Sequence, residues 1–310
     1  MKWAVETGVI NGKDGKLAPK DNATRAQFAA IIERYMKLND TKADDIVILY
    51  TNDVHANITG GSSKAPTLTY EQVAWYRNNL QTPYSLLVDA GDAIQGEAIS
   101  TLTHGEAIVE VMNAAGYDYA TFGNHEFDYR AQGLADMLRA AADSGDICPA
   151  IVQANYKPPE SDAGTWQAWE RYGISDYTVV ERGGLRVAVF GVLGVDADEC
   201  APMSGMEFEP IAEAAKRVVA EIQAEADADF VICLSHSGTD EKGKGEDYAL
   251  AKAVPGIDVI ISGHTHSTTQ TPIQTGGAQI VSCGEYAQNL GALTIRRGGE
   301  GEAVTVEDYR

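Results

Sequence analysis

The sequence predicts an α/β domain that starts at Asp45 and follows a short helical N-terminal segment. Two observations carry this prediction. Apolar runs of strand length alternate with stretches of helical periodicity, and most histidines of the chain stand directly after such apolar runs. In open α/β sheets, functional groups gather in the loops beyond the carboxyl ends of the strands. The same alternation therefore predicts both the fold class and the place of the functional site.

The N-terminal residues differ in character from the rest of the chain. Thr24-Arg25-Ala26-Gln27 is a capping box, which predicts a helix from Arg25 to about Leu38. The polar residues that follow predict a linker. The predicted segments are 1–38, 39–44 and 45–310.

From Asp45 onward, apolar runs and helical stretches follow one another in the order typical of βαβ units. The predicted strands are 46–50, 85–89, 118–122, 186–193, 229–234, 257–262, 279–282 and 291–295. The predicted helices lie near 69–80, 105–115, 131–143 and 211–225.

Composition limits the kinds of partner that this protein can have. The chain has 310 residues, 44% of them hydrophobic, and a formal net charge of −21. Binding to a DNA or RNA polymer rests on clustered Lys and Arg, so this charge argues against a nucleic-acid polymer as partner. It does not exclude a small phosphorylated substrate, because bound divalent cations reverse the local charge of a site. No apolar run approaches the roughly 20 residues that span a bilayer.

Two further features leave the compartment open. The first residues have no signal-peptide pattern, so the protein is either intracellular or a piece of a longer secreted precursor. The four cysteines are scattered without a C-x-x-C pair, which excludes a thiolate zinc site of the usual spacing. Cys233 and Cys283 lie in apolar runs, and we expect them to be buried free thiols.

Five of the six histidines follow predicted strands, each beside a carboxylate or an amide. These residues are His55, His125, His236, His264 and His266. Residues i and i+2 of an extended segment face the same way, so D-x-H and H-x-H can each direct two donors into one cavity. The sixth, His104, is expected to start a surface helix and to have no role.

The donor set at these strand ends mixes imidazole and carboxylate without thiolate, which suits zinc, manganese or iron. Seven donors are too many for one tetrahedral ion but suit two ions that share a bridging carboxylate. Two adjacent ions are a recurring device for the hydrolysis of phosphate esters.

The order D-x-H, G-D, G-N-H-E, a later His and G-H-x-H resembles the calcineurin-like metallophosphoesterases. Three longer stretches, Gly91–Gly96, Met112–Asp118 and Gly123–Asp128, resemble the 5′-nucleotidase and 2′,3′-cyclic-nucleotide phosphodiesterase branch. The resemblance covers roughly residues 45–310. It implies a four-layer α/β/β/α sandwich that carries a dinuclear metal site.

The resemblance also implies a division of the ligands between the two metals. Asp92 would bridge both ions. The first metal would be held by Asp53, His55 and His266, and the second by Asn124, His236 and His264. Members of this branch often have glutamine where this chain has His266, so the metal preference could differ.

Beside the metals, the resemblance implies a catalytic dyad of His125 and Asp128. His125 would stabilise the transition state or protonate the leaving oxygen, and Asp128 would orient its ring. The alternative for Asp128 is a helix N-cap. Glu126 is given no catalytic role, and we expect a carboxylate that bonds to the backbone or supports the ligands.

The N-terminal residues resemble the latter part of an S-layer homology repeat, on Trp3–Gly12, Pro19 and Ala23–Ala29. Such repeats tether bacterial proteins to cell-wall polysaccharide, which implies an extracellular, wall-associated protein. The alternative is a generic capped helix. The branch also carries a C-terminal substrate-binding domain, which we expect to be absent from a sequence that stops at Arg310, so the substrate-binding residues are unknown.

Together these features predict a dinuclear-metal phosphoesterase that hydrolyses nucleotides or related phosphate esters by attack of a metal-bound hydroxide. Alternatives on the same site are a 2′,3′-cyclic phosphodiesterase and a nucleotide-sugar hydrolase. An alternative of another class is a wall-bound scaffold with a vestigial metal domain. The complete donor set argues against a vestigial site, which would be expected to lose donors.

Overall fold

The computed structural model describes residues 45–60, 67–145, 149–240, 242, 244–297 and 304–309. The chain divides into two compact units. One comprises Asp44–Leu80 and Tyr84–Arg310 and contains all the elements below; the other, Met1–Ala43 with Gln81–Pro83, lies almost entirely outside the described residues. The predicted helix 25–38 and linker 39–44 lie outside them too.

Two six-stranded sheets and one two-stranded ribbon make up the β structure of the described residues. The strands are β1 Ile46–Thr51, β2 Ser85–Asp89, β3 Tyr119–Ala120, β4 Ala150–Ile151, β5 Tyr156–Lys157, β6 Tyr177–Arg182, β7 Leu185–Leu193, β8 Glu207–Phe208, β9 Phe230–His236, β10 Val259–Ser262, β11 Ile273–Thr275, β12 Ala278–Val281, β13 Gly291–Arg297 and β14 Val304–Tyr309. The first sheet has the order β14-β13-β1-β2-β3-β4, the second has the order β11-β12-β10-β9-β7-β6, and β5 pairs with β8.

The helices lie between these strands in the chain. They are α1 Tyr70–Asn78, α2 Ala98–Thr103, α3 Glu106–Ala115, α4 Arg130–Ser144, α5 Ala163–Tyr172, α6 Val195–Cys200, α7 Ile211–Glu221 and α8 Glu246–Ala253. A short 3₁₀ turn, His125–Phe127, precedes α4, and a π turn, Ile222–Ala226, continues α7.

The strands of each sheet divide their side chains between two hydrophobic cores. All six residues of β1 are buried. Ile46, Ile48 and Tyr50 belong to the core between the sheets, whereas Val47 and Leu49 belong to a core shared with helices of the first sheet's outer face. This is the side-chain alternation of a strand that is covered on both faces. A third core packs α7 and α8 on the second sheet, so the layers are α/β/β/α and the predicted four-layer sandwich is confirmed.

Strand register brings the functional loops to one end of the sandwich. In the first sheet β1 and β2 are parallel, and Thr51 pairs with Asp89. In the second sheet β9 and β10 are parallel, and Ser235 pairs with Ser262. Because paired residues lie side by side, the loops after these four strands start at the same edge of their sheets.

Every predicted strand and helix from Asp45 onward is confirmed within a few residues at each end. The elements that the sequence did not predict are β4, β5, β6, β8, β11, β14, α2, α5, α6 and α8. Most are short or partly exposed, so they lack the continuous apolar run or the repeated apolar stripe that predicts an element.

Three smaller predictions can be checked in the described residues. The prediction that His104 starts a helix is wrong: it is the residue that ends α2, with φ of 50°, and its exposed ring lies 4.7 Å from that of Tyr129 between centroids. Cys233 and Cys283 are buried free thiols as predicted, Cys200 is exposed and free, and Cys148 lies outside the described residues. None of the helices that the structure describes could cross a membrane.

Candidate metal centre and active site

The loop after β1 turns sharply to present its two candidate ligands. Asp53 and His55 have φ of 51° and 50°, in the left-handed region that non-glycine residues rarely adopt. Asp92, His264 and His266 also have positive φ, between 53° and 76°. Such conformations cost free energy and persist where the surroundings hold them, which is common at functional sites.

The first group of donor atoms joins both sheets. Asp53, His55 and His266 each offer one atom within 4.8 Å of the others. The Nε2 atoms of His55 and His266 are 3.2 Å apart, and His266 Nε2 is 3.5 Å from Asp53 Oδ1. A tetrahedral ion with bonds of 2.0–2.2 Å separates its ligand atoms by roughly 3.3 Å, so this spacing suits a shared cation.

The second group lies next to the first and is more deeply buried. His236 Nε2 is 3.2 Å from Asp92 Oδ2 and 3.2 Å from Asn124 Oδ1. Asp53, Asp92 and His236 also lie within 4.8 Å of one another, and Asp92 forms a further such group with His55 and His125. Asp92 and Asp53 are therefore the carboxylates that connect the two groups.

His264 is placed differently from the other predicted ligands. Its backbone N–H donates to both carboxylate oxygens of Asp53 at 3.0 Å, and its ring lies 5.2 Å from that of His236 between centroids. Its Nε2, however, is 2.8 Å from Asp196 Oδ2, and its donor group contains Asp196 and Cys200. The structure thus brings six of the seven predicted ligands into two adjoining groups and puts the side chain of His264 at their border.

Hydrogen bonds at the far ring nitrogen orient three of the histidines. His55 Nδ1 is 3.2 Å from Gln95 O, and His236 Nδ1 is 2.8 Å from Ala90 O. His266 Nδ1 is 2.6 Å from Glu285 Oε2. An acceptor at Nδ1 leaves Nε2 unprotonated and free to bind a cation, which is the usual arrangement of a metal-binding histidine.

The buried carboxylates of this site favour positive charge beside them. Burial by itself would lower the pKa of His236, but the nearby Asp92 carboxylate outweighs it and raises that pKa to about 10. Burial also works against the charge of Asp92, yet the neighbouring histidines hold its pKa below the usual range. The pKa of Asp53 is raised, mainly by burial. Divalent cations are the charges that such a mixed donor set accepts, so the residues present fit a metal centre.

His125 and Asp128 form a close pair at the mouth of the site. His125 Nδ1 lies 3.1 Å from Asp128 Oδ2, and the backbone N–H of His125 donates to Asp92 Oδ1 at 2.8 Å. Burial alone would lower the pKa of His125, but Asp92 and Asp128 raise it. The residue that caps α4 is Tyr129, without a side-chain bond. The contacts of Asp128 thus favour the dyad over the alternative of an N-cap.

Glu126, which the sequence left without a catalytic role, ties together two of the ligand loops. Its buried carboxylate accepts the backbone N–H groups of Asp92, Ala93 and Ile94 at 2.9, 2.9 and 3.1 Å, and that of Gly123 at 2.5 Å. The expectation of a backbone-bonding carboxylate is confirmed. Sequence reasoning missed Glu285 and Asp196, because each lies far along the chain from the histidine that it contacts.

The family model of the calcineurin-like phosphoesterases matches residues 46–268, which is more than half of the chain. The chain belongs to this family. The family is one of phosphoesterases that use divalent metal ions. Residues 1–29 match the S-layer homology domain, as the resemblance in the sequence indicated.

Among curated proteins, the chain is similar to the trifunctional nucleotide phosphoesterase protein YfkN of Bacillus subtilis, at 31% identity over 280 residues. The match covers 81% of this chain and 18% of YfkN. A snake venom 5′-nucleotidase of Gloydius brevicauda is 30% identical over 240 residues, which cover 73% of this chain and 38% of the venom enzyme. The chain thus spans well under half of the length of either relative.

Solved structures give the same fold. The NAD nucleotidase of Haemophilus influenzae matches with a TM-score of 0.71 at 23% identity, over 86% of this chain and 49% of that protein. The 5′-nucleotidase precursor of Thermus thermophilus matches with a TM-score of 0.67 at 25% identity, over 86% of this chain and 53% of that protein.

Proposed function

We propose that this calcineurin-like domain is a dinuclear-metal phosphoesterase that hydrolyses nucleotides or related phosphate esters. One observation carries the proposal: two adjoining donor groups are connected by Asp53 and Asp92 and lie beside the His125–Asp128 pair. Asp53, His55 and His266 would hold one ion, Asn124 and His236 would hold the other with His264, and Asp92 would serve both. When bound, two such ions would lower the pKa of a water molecule and offset the charge on the attacked phosphate.

The protein's own groups would handle the proton of the leaving group. His125 turns Nδ1 toward Asp128, while its ring lies edge-on to that of His55 with centroids 5.3 Å apart. In its protonated form, the ring would hold one proton on Nδ1 toward Asp128 and a second on Nε2, and the second is the proton that it can donate. As water adds to phosphorus and the bond to the ester oxygen breaks, this proton would pass to the leaving oxygen. Asp128 would keep the tautomer fixed and stabilise the protonated ring.

Nucleotides are the proposed substrate class because of the relatives. The names of the Bacillus and Gloydius proteins describe nucleotide phosphoesterases. The finer choice between 5′-nucleotides, 2′,3′-cyclic nucleotides and nucleotide sugars depends on contacts to the nucleoside. Binding energy from that remote part of a substrate positions the reacting phosphate and raises turnover.

A hydrolysis screen on the metal-reconstituted chain tests this proposal, with free phosphate measured for the monoesters and the products separated by chromatography for the cyclic nucleotide and the nucleotide sugar. The substrates are 5′-AMP, 2′,3′-cyclic AMP, a nucleotide sugar and an aryl phosphate, and the control is His125→Ala. We expect the 310-residue chain to hydrolyse the aryl ester slowly, with little preference for 5′-AMP. A longer form with the C-terminal domain of this branch should gain in kcat/KM on nucleotides only. No metal-dependent hydrolysis of any ester would refute the proposal and leave the alternative of a vestigial metal domain.

We further propose that the S-layer homology match at residues 1–29 reflects attachment to the cell wall. A protein that carries complete S-layer homology repeats before this domain should sediment with purified cell walls, and the domain from Asp45 onward should not. The 310-residue chain should bind weakly, because its match to the S-layer homology domain spans only residues 1–29. Equal sedimentation of all three proteins, or of none, would refute an extracellular, wall-associated location.

A further inference from the structure

One of the candidate metal ligands is held from behind by a charged group. His266 Nδ1 lies 2.6 Å from Glu285 Oε2, whereas His55 and His236 turn Nδ1 toward backbone carbonyl oxygens. The opposite nitrogen of His266 faces the first donor group, 3.2 Å from His55 Nε2. Glu285 thus contacts His266 on the side away from the proposed metal.

The backbone around Glu285 is attached to two ligand loops. Gly284 N donates to Ser267 O at 2.9 Å, which ties the residue before Glu285 to the loop of His266. Tyr286 N donates to Asp53 O at 2.7 Å, which ties the residue after it to the loop of Asp53. The position of the Glu285 carboxylate is therefore set by the same loops that present the first donor group.

Tyr286 shows that this attachment is firm. Its φ is 52°, a conformation that a tyrosine adopts only where the surroundings hold it. Its carbonyl accepts a hydrogen bond from Asn57 Nδ2 at 2.7 Å, and its ring lies 5.2 Å from that of His55 between centroids. The segment closes one side of the first donor group.

His266 needs such support more than its neighbours do. Its side chain is 37% exposed, whereas that of His236 is 0% exposed and is fixed by packing on every side. A partly exposed imidazole can rotate away from an ion unless a partner holds it. Glu285 is itself 32% exposed, so we expect its effect to depend on the tautomer and direction of the ring more than on net charge.

We propose that Glu285 is a positioning residue that keeps His266 protonated on Nδ1 and directs its Nε2 at the first metal. The inference rests on the proposed dinuclear site. A carboxylate behind a metal-binding histidine fixes the tautomer and makes the ring a stronger ligand. Imidazole suits zinc and iron, whereas carboxylate and water suit manganese and magnesium. Glu285 therefore favours zinc or iron over manganese at the first site.

Competition with chelators tests this directly, on the intact chain and without an activity assay. Dissociation constants of both bound ions are measured for zinc and for manganese in wild type, Glu285→Gln, His266→Gln and the double variant. Glu285→Gln should weaken one of the two zinc-binding steps by about 10–100-fold, the usual effect of losing a partner behind a ligand. The change for manganese should be smaller. His266→Gln should weaken the same step.

The double variant separates a specific role from a general loss of charge. Without the imidazole, Glu285 has nothing to orient, so adding Glu285→Gln to His266→Gln should change zinc affinity no further. Glu225→Gln, which removes an exposed charge elsewhere, should match wild type. Unchanged zinc affinity in Glu285→Gln, or the same loss in both backgrounds, would overturn the inference. A wild-type chain that binds no divalent ion would instead refute the proposed function.

Discussion

The two sheets contribute unlike halves to the site. The loops after β1, β2 and β3 provide both shared carboxylates, an amide and the His125–Asp128 pair. The last residue of β9 and the loop after β10 provide only imidazoles among the predicted ligands, namely His236, His264 and His266. In the proposed site, the half from the first sheet would supply the negative charge and the proton chemistry, and the half from the second sheet would complete the coordination.

A buried carboxylate outside the ligand set supports each half, but in a different way. Glu126 accepts four backbone N–H groups and fixes the chain path of the loops that carry Asp92 and Asn124. Asp247, on α8, accepts the hydroxyls of Ser235 and Ser237 on either side of His236, at 2.6 and 2.8 Å. Glu126 bonds to the backbone, whereas Asp247 bonds to side chains. We therefore expect the half from the first sheet to be more sensitive to the loss of its supporting carboxylate.

The largest effect should come from the residue that connects the donor groups. Asp92→Asn removes the charge that both ions would share, so we expect loss of both metals and a fall in hydrolysis of at least about 10³-fold. Metal analysis after gel filtration and phosphate release measure this, and circular dichroism checks that the fold is kept. Two metals per chain after the change would contradict the assignment of Asp92 as a bridge.

His125→Ala should separate the proton chemistry of the first half from metal binding. We expect the metals to stay bound and kcat to fall by about 10²–10⁴-fold, the range for an acid–base group. Asp128→Ala should cost less, because the ring is still present although poorly oriented. Near-normal turnover of His125→Ala would give His125 a structural role and leave the first half without its proton donor.

Glu126→Gln should damage the first half through its backbone. An amide presents N–H groups to some of the four buried donors and leaves them unpaired, at about 1–3 kcal/mol for each. We expect the free energy of unfolding to fall by about 3 kcal/mol and kcat to fall with it. Urea denaturation measures the first and phosphate release the second. The control is Glu110→Gln on the exposed face of α3, and equal stability of the two variants would refute the role of Glu126.

Asp247→Asn should have the smallest effect on hydrolysis, and its effect on stability should depend on pH. The pKa of Asp247 is raised from 3.8 to about 6, mainly by burial and also by Glu246, while the serine hydrogen bonds oppose the shift. Asp247 in turn raises the pKa of the Cys233 thiol, which burial already raises. Between pH 3.8 and about 6, Asp247 is ionised in the unfolded chain but still protonated in the folded one. The free energy of unfolding therefore falls as pH rises through this range, by about 3 kcal/mol in total.

The variant lacks this titration, so its stability relative to wild type should rise by about 3 kcal/mol between pH 3.5 and 7. Urea denaturation of the metal-free proteins over this range measures the difference. Asp227→Asn is the matched control, because Asp227 is exposed and its left-handed conformation tolerates Asn. A constant difference between Asp247→Asn and wild type would show that Asp247 titrates normally. The different supporting roles given to Asp247 and Glu126 would then be refuted.

The sequence by itself determined the fold class, the main strands and the ligand types. Runs such as residues 46–50 are apolar throughout because both faces of the strand are buried, and a residue that follows such a run must lie near a sheet edge. Local pattern therefore predicted that Asp53, Asp92 and His236 would converge. Its failures were short or half-exposed elements such as β6 and α6, where no periodic signal exists.

Tertiary structure alone decided which side chains contact and support the candidate ligands. Glu285 reaches His266, and Asp196 reaches His264, across long separations in the chain. Glu126 lies beside Asn124 in sequence, yet most of its bonds go to the loop of Asp92 in another strand connection. A candidate ligand can be recognised from its residue type and its position after a strand, and both are local properties of the sequence. A supporting partner is defined only by hydrogen-bond distance in the folded chain, so the sequence carries no periodic or spaced signal for it.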